Sequence, residues 1–152
     1  MESQHFESGA DPEHPGWYKW EMRDKRRFNE QAIGKLIVRK DEDGKARLRM
    51  FPTIAHSNLM DAVHGGASLA LMDISLFAAS RVFGLIDVGR AVTIDLTTQF
   101  IGAAKIGTPL DAVVELLRET GRMVFLRGLL VQGDTIVAAF SGTIRKPSPP
   151  RT

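Results

Sequence analysis

Cysteine is absent from all 152 residues. Disulfides, thiolate catalysis and cysteine-ligated metals therefore cannot contribute to fold or function. No sign of charge dominates either: 20 Lys and Arg stand against 18 Asp and Glu. The sequence isoelectric point near 9.2 reflects that small imbalance, not a basic stripe, and so argues against a DNA or RNA partner. Histidine is sparse, and His5, His14, His56 and His64 show no metal-ligand spacing, so no metal site is expected. Long apolar runs are missing, because the longest contains His64 and Asp73 and is too polar to span a membrane. The N-terminal MESQHFESGADPEHPGW has neither the basic nor the apolar region of a secretory signal. A cytoplasmic protein that binds neither membrane nor nucleic acid is the expectation.

What is present centres on Ala62 to Ser80, AVHGGASLALMDISLFAAS. Ala67, Ala70, Leu71, Ile74, Phe77 and Ala78 follow the i, i+3, i+4 spacing of a helix packed against a core. Asp73 interrupts this pattern, and its neighbours one turn away, Leu69, Ala70, Leu76 and Phe77, are all apolar. A carboxylate buried in such surroundings needs a partner or a chemical task. His64-Gly65-Gly66 stands where the helix should begin. The first N–H groups of a helix lack intrahelical partners and carry partial positive charge, so this end suits an anion or an oxyanion. An oxyanion donor and a potential base or nucleophile thus belong to one element.

The length suits a single domain with a sizeable core. Residues 1–16 are polar, with Pro12 and Pro15, and read as a flexible arm. Trp17, Tyr18 and Trp20 are too large to leave exposed without reason, which starts the ordered domain near residue 17. Arg23 to Asn29 reads as a helical turn. Lys35 to Lys40 and Lys45 to Met50 read as strands flanking the turn residues Asp41-Glu42-Asp43-Gly44. A loop from Pro52 to Val63 leads into a helix from about Gly66 to Phe83. From Ala91 to Ile101 the period changes to two, with Val92, Ile94, Leu96, Thr98 and Phe100 on one face and Thr93, Asp95, Thr97 and Gln99 on the other. Leu110 to Glu119, Met123 to Gln132 and Ile136 to Ile144 are three further strands, and residues 147–152 belong to a basic, proline-rich tail that cannot extend a sheet. An antiparallel sheet with one apolar helix must curl round it. The fold class is α+β, with a sheet wrapped round a long central helix over residues 17–146.

Asn58, His64-Gly65-Gly66, Asp73, the strand Ala91 to Leu96, Phe100, Ala104 to Gly107, Gly121-Arg122 and Gly142-Thr143 form an ordered set over about Arg27 to Lys146. In that set the chain resembles the hotdog-fold acyl-CoA thioesterases of the phenylacetate-degradation type. The resemblance implies hydrolysis of an acyl-CoA or aryl-CoA ester by homodimers that usually pair into homotetramers, with CoA as part of the substrate and no separate cofactor. It implies that Asp73 is the general base or nucleophile, that the Gly65 N–H polarises the thioester carbonyl, and that His64 and Asn58 support them. It further gives Thr93 a hydroxyl position that orients water or substrate. Arg90, Lys105 and Arg122 are the candidates for the CoA phosphates, because phosphates favour such cations. Trp17 to Asp24 lies outside the general pattern and is expected to shape the acyl pocket.

Two rival readings share the fold: a hydratase or dehydratase using His64, and a non-catalytic acyl-CoA-binding protein. The pairing of HGG with Asp73 favours hydrolysis over the first, and the absence of a helix-turn-helix pattern in residues 1–26 disfavours the second. Gly65 and Asp73 are eight residues apart, roughly 12 Å along one helix, too far for both to engage one thioester carbon. The active sites are therefore expected to be shared between two copies of the chain.

Overall fold

The computed structural model describes residues 4–87 and 90–148. Three two-residue strands come first: β1 (Phe6–Glu7), β2 (Tyr18–Lys19) and β3 (Glu21–Met22). The hairpin β4 (Leu36–Lys40) and β5 (Ala46–Met50) follows, then the helix α1 (Gly65–Val82). Four long strands complete the fold: β6 (Val92–Phe100), β7 (Leu110–Glu119), β8 (Met123–Gln132) and β9 (Thr135–Arg145). Seven strands make one antiparallel sheet in the order β2-β4-β5-β7-β8-β9-β6, and β1 pairs separately with β3. The last four strands are consecutive in sequence, but β6 does not lie beside β7. It crosses to the far edge and pairs with β9. This long antiparallel sheet with one main helix is the hotdog fold.

The inner face of the sheet carries Leu36, Val38, Leu48, Met50, Leu110, Val114, Leu126 and Ile144 against Leu71, Met72, Ile74, Leu76 and Ala78 of α1, all buried. Helix and sheet meet closely at Gly142, where an added Cβ would stand 2.5 Å from Leu76 Cδ1. Only glycine admits that approach. Two of the serines buried on α1 are satisfied within it, Ser75 Oγ donating to the Met72 carbonyl at 2.6 Å and Ser80 Oγ to the Leu76 carbonyl at 2.7 Å.

The structure departs from the sequence reading in four places. First, the buried side of α1 runs through Ser68, Leu71, Met72, Ile74 to Leu76 and Ala78 to Ser80, whereas Ala67, Ala70, Asp73 and Phe77 are only half-buried. A helix that is apolar nearly all round does not reveal which side the sheet will cover. Second, β6 has no buried face in the single chain: Val92, Ile94 and Phe100 are all more than two-fifths exposed. As the edge strand it has a neighbour on one side only. Third, Arg23 to Arg27 forms only a turn, the Arg27 N–H bonding to the Asp24 carbonyl at 3.2 Å, and the helical residues begin at Phe28 and run on through Asn29–Ile33, where the Gly34 N–H bonds back to the Asn29 carbonyl at 2.9 Å.

Fourth, the segment read as a flexible arm packs against the body. Phe6 is buried and its ring lies 5.0 Å from that of Trp20. Asp11 is buried too, taking hydrogen bonds from the Glu13 N–H at 3.1 Å and from His14 Nδ1 at 2.8 Å, with Lys35 Nζ at 3.1 Å. The local chain shows no period because it is anchored by one ring, one carboxylate and short backbone pairings with residues 17–23, not by an amphipathic element. Trp17 and Trp20 are buried as expected, but Tyr18 is 56% exposed. The guanidinium groups of Arg39 and Arg49 both lie over Trp17, 4.5 and 4.6 Å from its ring centre. Arg49 in turn forms a two-pronged bond to buried Asp111, at 2.7 and 2.8 Å. In the tail, residues 149–152 lie outside the described residues.

Removing residues 1–14 is therefore expected to destabilise the protein. Phe6→Ala alone should cost about 2 to 3 kcal/mol, read by urea unfolding, because it returns a buried ring's area to water. Acid should release the same segment. Burial pushes the Asp11 carboxyl up, but hydrogen bonds from His14, Lys35 and the Glu13 N–H outweigh it and lower the group from 3.8 to about 2. A depressed carboxylate contributes stability that is complete above its unfolded value and lost as pH falls through its folded one. Tryptophan fluorescence should therefore report loosening between about pH 4 and 2, and Asp11→Asn should reduce that acid dependence, leaving the part carried by Glu13, whose carboxyl the Lys35 hydrogen bond also lowers.

Candidate active site

The start of α1 is held by a chain of backbone and side-chain bonds. Asn58 Oδ1 accepts from the Met60 and Ala62 N–H groups at 2.9 and 3.2 Å, closing a turn in which Asp61 takes a positive φ of 57°. His56 is pinned on both sides of its ring: Nδ1 accepts from the Thr53 N–H and Nε2 donates to the Ala32 carbonyl, each at 2.9 Å. Its carbonyl then accepts the His64 N–H at 2.7 Å. His64 caps the helix, with Nδ1 accepting from the Gly66 N–H at 2.8 Å. That bond consumes the Gly66 donor. The Gly65 N–H has no acceptor among the described residues and stands as the open donor at the helix start. Close to it lies Phe100, whose ring is 3.6 Å from where a Gly65 Cβ would be. Asn58 and His64 thus shape the loop and cap that present Gly65.

Asp73 sits two turns further along, on the side of α1 that the sheet leaves uncovered. Thr93 Oγ1 donates to its Oδ1 at 2.6 Å, and Oδ2 has no hydrogen-bond partner among the described residues. The pairing depends on a bulge. Thr93 pairs with Ile144 and Asp95 with Thr143, leaving Ile94 as the extra residue, while Leu96 pairs with Gly142. Adjacent positions of β9 face opposite sides, so the bulge turns Thr93 to the same side as Leu96, Thr98 and Phe100. Strict alternation would have put Thr93 on the other face, away from the helix.

Asp73 opens onto a cleft of about 530 Å³. Phe6, Trp20, Met22, Ile74 and Phe77 make it largely apolar, while Arg23, Arg27 and Asn29 bring polar groups to its wall. Arg27 Nε bonds Asp24 at 3.1 Å, and the side-chain amide of Asn29 has no hydrogen-bond partner among the described residues. The side-chain and backbone bonds from Arg26 hold Asp24 well below the usual carboxylate range. Of the Trp17 to Asp24 segment, Trp20, Met22, Arg23 and Asp24 line this cleft, whereas Trp17 lies on the opposite face of the sheet. Sequence reasoning missed Phe6 and Asn29, since a lone aromatic in a polar arm and an asparagine in a charged turn carry no periodic signal.

The cations assigned to CoA phosphates do not converge within one chain. Arg90 precedes β6 and Arg122 lies in the β7–β8 turn, at one end of the sheet, where Val92 and Met123 both pair with Arg145. Lys105 lies beyond the other end of β6, bridged to Ala62. Nine residues of strand, roughly 30 Å, separate it from Arg90. The N-terminal segment also brings Asp11, Glu13 and His14 within ligand distance of one another. Lys35 Nζ already supplies the positive charge there, 3.1 Å from Asp11 and 2.6 Å from Glu13.

The thioesterase-superfamily model matches residues 60–139, from the loop before α1 into β9. The chain therefore belongs to the thioesterase superfamily. Among solved structures it is similar to the conserved protein PA5202 of Pseudomonas aeruginosa, at 27% identity and a TM-score of 0.66 over 78% of this chain and 93% of that one. The TT0310 protein of Thermus thermophilus is 26% identical, with a TM-score of 0.65 over 82% and 99% of the two chains. A mutant of the phenylacetic acid degradation protein PaaI from the same organism shares the fold at 24% identity, with a TM-score of 0.65 over 78% and 97%. No curated protein sequence matches significantly. Among the described residues no helix is long and apolar enough to cross a membrane.

Proposed function

We propose that this protein hydrolyses a CoA thioester to the free acid and CoA, in the cytoplasm and without a separate cofactor, at sites shared between two copies of the chain. The observation that carries the reading is the Thr93-anchored Asp73 carboxylate, held at 2.6 Å with its second oxygen free, at the mouth of an apolar cleft. Water placed on Oδ2 would attack the thioester carbon, giving its proton to Asp73. The carbonyl oxygen would become an oxyanion facing the Gly65 N–H of the other copy, a donor worth about 3 to 4 kcal/mol in other hydrolases. Collapse would break the C–S bond, and the CoA thiolate would leave with the proton. Direct attack by Asp73 gives the same products through a mixed anhydride.

Sharing follows from the single chain's incompleteness. Gly65 and Asp73 are roughly 12 Å apart on one helix, and the exposed apolar edge of β6 beside them is the surface a second copy would cover. A two-fold axis there would also bring Lys105 of one chain toward Arg90 and Arg122 of the other, restoring the phosphate-binding role that one chain cannot assemble. Pairing of such dimers would give a tetramer. Residues 17–146 supply the catalytic machinery, with residues 4–16 closing the wall of the acyl cleft. The cleft's aromatic lining, Phe6, Trp20 and Phe77, favours an aryl over a long aliphatic acyl group. Steady-state hydrolysis of a panel of aryl-CoA and aliphatic acyl-CoA esters, read by release of free thiol, tests the proposal. Turnover of any ester that is lost in Asp73→Asn supports it, and no thiol release across the panel would sink it.

A further inference from the structure

The helical turn Asn29–Ile33 runs alongside α1 in the opposite direction. Ala32 and Ile33 share a small cavity with Ala67 and Ala70 near the start of α1, whereas Asn29 lines the acyl cleft with Asp73, Ile74 and Phe77. Stepping back from Ile33 to Asn29 covers one turn, and stepping forward from Ala70 to Asp73 or Ile74 also covers one, about 5 Å in each case. Asn29 therefore stands at the level of Asp73 on the cleft wall. Other groups hold it there: Ile33 is buried in the core, the Ala32 carbonyl accepts from His56 Nε2 at 2.9 Å, and Glu30 Oε1 accepts the Met22 N–H at 2.6 Å. The Asn29 side chain takes no part in that anchoring. It is half-buried, and its amide has no hydrogen-bond partner among the described residues.

A water that gives one hydrogen to Asp73 Oδ2 still carries a second, and until that hydrogen is held the oxygen lone pair is free to swing away from the thioester carbon. Holding it takes an acceptor that does not itself become protonated. An asparagine carbonyl meets that need, since the amide stays neutral and accepts through two lone pairs. The other acceptors on the cleft wall are committed or distant from Asp73: Asp24 is bonded by Arg26 and Arg27, and Gln4 stands two residues before Phe6, on the β1 side. We propose that Asn29 is a water-positioning residue of the hydrolytic site, its side-chain carbonyl taking the hydrogen that the attacking water does not give to Asp73. This assignment rests on the thioesterase reading and adds to it a residue from outside α1, its cap and β6. A C–O bond forms, the C–S bond breaks, and the transferred proton passes through Asp73 to the CoA thiolate, while Asn29 exchanges none. Where Asp73 is the nucleophile, the same water attacks the mixed anhydride and the role of Asn29 is unchanged.

Asn29→Ala and Asn29→Leu test it in the full chain, the first leaving space for water and the second filling the amide's volume. Both should keep the wild-type melting temperature, because no bond of the fold is lost. On any ester the wild type turns over, kcat should fall about tenfold, the size of one lost hydrogen bond, with KM within about twofold of wild type. Hydroxylamine added as a competing nucleophile gives a readout that a structural role would not move. It brings its own lone pair and does not depend on the water's second hydrogen bond, so the ratio of hydroxamate to free acid, after subtraction of the uncatalysed reaction, should rise about tenfold in Asn29→Ala. Wild-type kcat in either variant, a raised KM at constant kcat, or an unchanged hydroxamate ratio overturns the proposal. A fall in melting temperature that accounts for the lost turnover overturns it as well, by making Asn29 structural. Turnover that Asp73→Asn abolishes and the Asn29 variants retain leaves the thioesterase reading standing and removes this assignment alone. Absence of thiol release by the wild-type chain removes both.

Discussion

Asp73→Asn is expected to fold normally and to lower kcat by roughly 10² to 10⁴, the range that a positioned acid or base contributes. The amide is nearly the same size and its oxygen can still accept the Thr93 hydroxyl, now 2.6 Å from Oδ1. It can neither take a proton from water nor attack the carbonyl efficiently. Steady-state thiol release gives the number, and near-normal kcat would remove Asp73 from the mechanism. Asp73→Leu separates a structural role from a chemical one. The residue is half-buried on the uncovered side of α1, so leucine should be tolerated and yield a stable, inactive protein. A purely structural aspartate would instead show in the melting temperature while the folded fraction kept its activity. A single turnover in ¹⁸O water then distinguishes the two chemical roles, since label enters the Asp73 carboxylate only if that group is the nucleophile.

Mixing two inactive variants should restore activity. Gly65→Pro deletes the open N–H at the first position of α1, where helices tolerate proline, and the Phe100 ring at 3.6 Å is at ordinary contact distance from the new ring. Refolded alone, neither this variant nor Asp73→Asn should turn over. Refolded together with random reassortment, half of the dimers are mixed and each mixed dimer holds one intact site. About a quarter of wild-type activity should therefore return. If mixed dimers form, as native mass spectrometry would show, and no activity returns, Gly65 and Asp73 do not act across an interface.

The sequence by itself determined most of the long elements. The hairpin round Asp41 to Gly44, the helix over Gly65–Val82 and the ranges of β7 and β8 follow from local turn residues and from periods of 3.6 and 2. The glycines at the helix start and the lone carboxylate within it were legible for the same reason. Tertiary structure alone decided which groups meet. An extra residue, Ile94, turns Thr93 toward Asp73, and no period announces a bulge. Phe6 becomes a wall of the cleft because Trp20 offers it a ring to pack on, a contact between segments too short to show amphipathicity. The uncovered side of α1 was equally hidden, since apolar residues occur nearly all round the helix, and so was the bare edge of β6, since an alternating strand reads the same with a neighbour on one side or on both. Burial there depends on where the sheet stops, which is a property of strand order and not of any residue's neighbours in sequence.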